Sequence, residues 1–89
     1  MTKLKAVVID DTIVYRKIVG DILKEIPEIE VAGTANNGKI ALSKINSLQP
    51  DLITLDIEMP EVNGIEVLEK IKDMQNPPAV IMVSTLTQD

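Results

Sequence analysis

The stretch LITLDIEMPEVNGIEVLEKI, residues 52–71, changes its period halfway along. Leu52-Ile53-Thr54-Leu55 is an apolar run of the length and kind that a strand covered on both faces requires. The run stops on Asp56, with Glu58, Met59-Pro60 and Asn63-Gly64 behind it. Ile65, Leu68, Ile71 and Met74 then recur every three residues, which marks one apolar face of a helix. Asn-Gly in isolation suggests a hairpin turn, but here it opens a 3.6-period segment and so predicts helix entry. A buried strand that carries a carboxylate to its own tip and then becomes a helix is one half of an α/β crossover.

The same alternation extends in both directions. Leu4 to Ile9 reads as a first strand and stops at Asp10-Asp11-Thr12. Tyr15, Ile18, Val19, Ile22, Leu23 and Ile26 form a helical stripe closed by Pro27. Ile29 to Ala35 is a second strand. After Asn36-Asn37-Gly38, residues Ala41, Leu42, Ile45 and Leu48 mark a second amphipathic helix ended by Pro50. Beyond the third helix Asn76-Pro77-Pro78 breaks the period, and Ala79 to Val83 is a fourth strand. The order βαβαβαβ predicts an α/β fold with a mostly parallel sheet and right-handed crossovers.

Composition narrows the function classes. At 89 residues the chain is one domain with a modest core. Nine basic against fourteen acidic residues leave a net charge of −5, which argues against nucleic acid or an anionic membrane as a partner. Neither cysteine nor histidine is present, so disulfides and the usual zinc sites are excluded. Tyr15 is the single aromatic residue, and packing must come from Ile, Val, Leu, Met and Ala. No apolar run approaches the ~20 residues of a membrane span, and the expected location is the cytoplasm.

In open α/β sheets, sites form beyond the carboxyl ends of strands where the strand order reverses. With a flavodoxin-like order 2-1-3-4, the tips carrying Asp10-Asp11 and Asp56 are neighbours, and Ser84 follows the fourth strand beside them. Crowded carboxylates repel unless a cation compensates, and an all-oxygen set suits a hard ion such as Mg2+. A carboxylate beside magnesium is a nucleophile toward phosphorus, with the Ser84 hydroxyl placed to donate to a phosphoryl oxygen. Blander readings stand next to these: Asp10-Asp11 as a helix N-cap, Asp56 as an exposed acid opening a loop, Ser84 as a turn residue.

Ile9-Asp10-Asp11, Asp56 with Met59-Pro60 and Gly64, and Val83-Ser84 resemble, in that order and spacing, the receiver domain of two-component response regulators. The resemblance implies transfer of a phosphoryl group from the phosphohistidine of a sensor histidine kinase to Asp56. It implies Asp11 as a direct Mg2+ ligand, Asp10 as a ligand through water and the Glu58 backbone carbonyl as a further ligand. Leu55 to Pro60 together with Met82 to Thr87 looks like the receiver half of chemotaxis protein-glutamate methylesterases, so the implied partner is an attached C-terminal output domain with esterase activity. That esterase uses a Ser-His-Asp triad, which a chain without histidine does not contain.

A whole receiver continues with a fourth helix, a fifth strand bearing a lysine, and a fifth helix. Residues 1–89 are therefore expected to form a receiver incomplete at its C-terminus, with the fourth strand as an apolar edge open to homo-association. Two other function classes are weighed against this one. A magnesium-dependent phosphohydrolase would use Asp56 transiently with Glu58 as acid/base, and an interaction scaffold would have an incomplete site. A nucleotide- or flavin-binding half-domain is disfavoured because Asp10-Asp11-Thr12 lacks a glycine cradle for phosphate.

Overall fold

The computed structural model of the chain describes residues 3–56 and 64–83. Within them the elements are β1 (Leu4–Ile9), α1 (Ile13–Lys24), β2 (Ile29–Ala35), α2 (Gly38–Leu48), β3 (Leu52–Asp56), α3 (Gly64–Lys72) and β4 (Ala79–Val83). The four strands form one sheet in the order β2-β1-β3-β4, with every neighbouring pair parallel. The expected α/β order 2-1-3-4 is thus the observed one.

Alternation along each strand divides the core. Val7, Ile9, Ile53 and Leu55 pack with Ala41 and Ile45 of α2 and with Val67 and Ile71 of α3. Ala6, Val8 and Leu52, one residue out of phase, pack with Leu23 of α1. Two helices therefore cover one face of the sheet and α1 the other. Each fully buried Ile, Leu or Val contributes about 1.5–3 kcal/mol, so the α2–α3 face carries most of the apolar stabilisation. α1 leaves Ile18 and Ile22 exposed along its stripe.

Helix boundaries follow local chemistry. Asn37 caps α2, its side chain accepting a hydrogen bond from the Ile40 amide at 2.9 Å, so this Asn-Gly pair opens a helix as the period predicted. α3 likewise begins at Gly64. It ends at Lys72, earlier than the apolar stripe suggested. Met74 lies past the helix, bonds back to the Ile71 carbonyl at 2.9 Å and still packs on the core. α1 stops at Lys24, so Ile26 belongs to the turn before β2. Close packing of α2 on β2 depends on Gly33, where a Cβ would lie 3.1 Å from Leu48 Cδ1.

The amino-terminal ends of the central strands are tied together by Asp51. Its side chain accepts from the Lys5 amide at 2.7 Å, its own amide donates to the Lys5 carbonyl at 2.8 Å, and its carbonyl accepts from the Ala79 amide at 3.0 Å. One residue thereby fixes β1, β3 and β4 against sliding. That register sets what happens at the opposite ends of the strands.

Candidate functional site

Ile9 pairs with Leu55 across the parallel β1–β3 ladder. The next residue on each strand is Asp10 and Asp56, so the register brings two acids level at the carboxyl end of the sheet. Neighbouring strands lie about 4.8 Å apart. Consistent with that spacing, Asp10, Asp11 and Asp56 each offer a carboxylate oxygen, all within 4.8 Å of one another. Asp10 and Asp56 are buried, at 2% and 0% exposure, whereas Asp11 is exposed.

Asp10 is held by its backbone and its side chain together. Its amide donates to the Ala35 carbonyl at 3.0 Å, which ties the end of β1 to β2. Its Oδ1 accepts from the Thr12 amide at 2.9 Å. Its carbonyl accepts from the Arg16 guanidinium at 2.8 Å. Neither acid is the N-cap of α1: that position is Thr12, whose hydroxyl donates to Asp11 Oδ1 at 3.3 Å instead of capping the helix. The plain capping explanation for Asp10-Asp11 is therefore not what the structure shows.

Three like charges this close are costly. Each pair repels by about 3 kcal/mol at an effective dielectric near 20, and burial of two of the carboxylates raises the cost further. A hard cation would offset both terms. The donors are all oxygen, and the chain has no thiolate or imidazole to favour a softer metal. One or two carboxylates with remaining positions left to water suit magnesium, so the residues present fit the ion.

Other expected site residues fall elsewhere. Ser84, Glu58, Pro60 and Asn63 lie outside the described residues. The last described residue of β4, Val83, pairs with Asp56. Arg16 was missed by sequence reasoning altogether. Its signal was available: it is the one arginine of the chain, on α1 four positions after the N-cap Thr12. A groove of about 270 Å³ between α1 and β2, whose lining includes Arg16, Lys17, Gly20, Asp21, Lys24 and Thr34, contains none of Asp10, Asp11 and Asp56.

The model of the response regulator receiver domain matches residues 6–89, nearly the whole chain. The chain belongs to the response regulator receiver domain family. Among curated relatives, the protein-glutamate methylesterase/protein-glutamine glutaminase of Desulfotalea psychrophila is 63% identical over all 89 residues. This receiver spans only 24% of that protein's length. The response regulator domain of Thermotoga maritima CheB is 43% identical with a TM-score of 0.84, over 98% of this chain and 64% of that one. A CheX–CheY–BeF3–Mg2+ complex from Borrelia burgdorferi matches at 28% identity and a TM-score of 0.86, over 99% of this chain and 66% of that one. Similarity to CheB receivers is what the narrower sequence resemblance anticipated. Among the described residues no helix is long and apolar enough to cross a membrane.

Proposed function

We propose that this receiver is the phosphoacceptor of a CheB-type chemotaxis regulator, with Asp56 as the residue modified. The observation that carries the reading is the convergence of Asp10, Asp11 and Asp56 at the level carboxyl ends of β1 and β3. An Asp56 carboxylate oxygen attacks phosphorus, the P–N bond to the histidine of a sensor kinase breaks, and an acyl phosphate forms on Asp56. Asp10, Asp11, Asp56 and the Glu58 backbone carbonyl are the groups that would hold magnesium, Asp10 through water. When bound, the ion neutralises charge on the carboxylates and on the incoming phosphoryl group. Ser84 donates to a phosphoryl oxygen and couples modification to the backbone after β4. The Borrelia burgdorferi complex, crystallised with BeF3 and Mg2+, supports this assignment.

Residues 1–89 then act as an incomplete receiver domain in the cytoplasm, regulating an attached output domain. The 63% identity to a methylesterase of about four times the length supports a methylesterase as that domain. The exposed edge of β4 is the surface for homo-association. The test is mass spectrometry after incubation with acetyl phosphate and Mg2+. One phosphoryl adduct is expected on the wild-type chain and none on Asp56→Asn. An adduct that survives the substitution overturns the assignment, and multiple turnover of a phosphomonoester would favour a phosphohydrolase instead.

A further inference from the structure

We propose that Arg16 is a positioning residue of the acidic site, anchoring the Asp10–Asp11 peptide and thereby setting the affinity of the site for its divalent cation. The part that concerns the cation rests on the receiver reading above. The anchoring itself rests on hydrogen bonds. Arg16 is half-buried on α1, and its amide makes the ordinary first-turn helix bond to the Thr12 carbonyl at 2.9 Å. Its side chain adds the anchor: the guanidinium reaches back six residues and donates to the Asp10 carbonyl at 2.8 Å.

The Asp10 carbonyl belongs to the peptide plane that leads into Asp11. Fixing that oxygen fixes the direction in which Asp11 leaves the strand. Asp11 needs this support because it is exposed, and the hydrogen bond to its side chain from Thr12 Oγ1 is 3.3 Å, long for a hydroxyl donor. The buried Asp10 and Asp56 are placed by the sheet, whereas Asp11 is placed by the turn. A charged donor to a carbonyl is among the stronger hydrogen bonds, and partners that orient ligands govern affinity nearly as much as the ligands do.

The sign of the effect separates positioning from simple charge. Arg16 is a cation beside a cation site, so on electrostatic grounds its removal should tighten Mg2+ binding. Loss of an anchor should weaken it. The measurement is a Mg2+ titration of the 89-residue chain by calorimetry, with Mn2+ and electron paramagnetic resonance as a second probe. Arg16→Met is expected to weaken binding roughly tenfold, while Lys17→Met, which removes a charge one residue away, stays within about twofold. Unchanged or tighter binding in Arg16→Met overturns the proposal.

A metal-free arm reads the anchor directly. Hydrogen exchange at the Asp11 and Thr12 amides, followed by NMR, should quicken in Arg16→Met and not in Lys17→Met; equal exchange overturns the anchor. Should Arg16→Met fail to fold, Arg16→Gln, with a polar head too short to span the distance, carries the same expectations. A wild-type chain that binds no Mg2+ would sink the metal assignment of the preceding section and the affinity claim with it. In that case the exchange measurement still decides whether Arg16 holds the turn.

Discussion

At the scale of single residues, the acidic cluster is costly to the fold. Asp56 ends a strand that is otherwise wholly apolar or hydroxyl-bearing, and it is fully buried within 4.8 Å of two other carboxylates. Asp56→Asn keeps the shape and removes one member of a repelling trio; burial of the new amide NH2 offsets much of the relief, so the metal-free chain should gain about 1–2 kcal/mol net. For a domain of this size that is a rise in melting temperature of roughly 5–10 °C. Thermal unfolding in a chelator measures it, and a less stable Asn variant would contradict the repulsion argument. Added Mg2+ should narrow the gap, because an ion that binds the folded wild type stabilises it by mass action. A variant that is more stable yet takes no phosphoryl group separates the role of Asp56 in function from any role in folding.

At the scale of elements, the helices carry local costs that nothing at the site demands. Gly20 sits in the middle of α1, where an added Cβ would meet no atom within 4 Å. Gly20→Ala should therefore stabilise by about 0.5–1 kcal/mol through helix propensity alone. α2 ends on Gln49 with φ 52°, the left-handed region that a side chain disfavours. Gln49→Gly relieves that strain at a position where helices commonly use glycine, and a gain of about 0.5–1 kcal/mol is expected by urea denaturation. Lys5 compensates part of the cost at the same end, since its ammonium donates to the Leu48 carbonyl at 3.0 Å where the helix dipole is negative. Both substitutions lie away from the acids and should leave the Mg2+ affinity unchanged, which checks that the measured gains are local.

For the whole molecule, the sheet is unevenly covered. β1 and β3 are central and buried, whereas β4 is an edge strand with Ile81 and Met82 half exposed at 50% and 46%. Among the described residues no strand pairs with the outer side of β4, and an apolar edge of that kind is a template for another strand. Sedimentation should show concentration-dependent association of the 89-residue chain, reduced by Ile81→Lys, since charges on an edge strand oppose such pairing. A wild-type chain that stays monomeric at high concentration would remove homo-association from the proposal. The fold was legible because its signals are local: short continuous apolar runs in the strands, a 3.6-residue period in the helices, and Asn37-Gly38 at a helix start. The ends of α1 and α3 were less so, because an apolar residue can continue a helical stripe from the turn beyond it: Met74 packs on the core from past α3, and Ile26 lies exposed in the turn after α1.

The sequence by itself determined the order of elements, the acids at the strand tips and, through Asp10-Asp11, Asp56 and Val83-Ser84 together, the family. Each of those features is written within a few residues of chain, where periodicity and residue chemistry act. Only the tertiary structure decided that Asp10 and Asp56 stand level, because that depends on the β1–β3 register, which Asp51 helps to fix from the other end of the sheet. It also brought in Arg16, whose place as the one arginine of the chain is visible in the sequence but whose partner is not. A hydrogen bond from a helix back across the turn that precedes it exists only once the strand, the turn and the helix have taken their places.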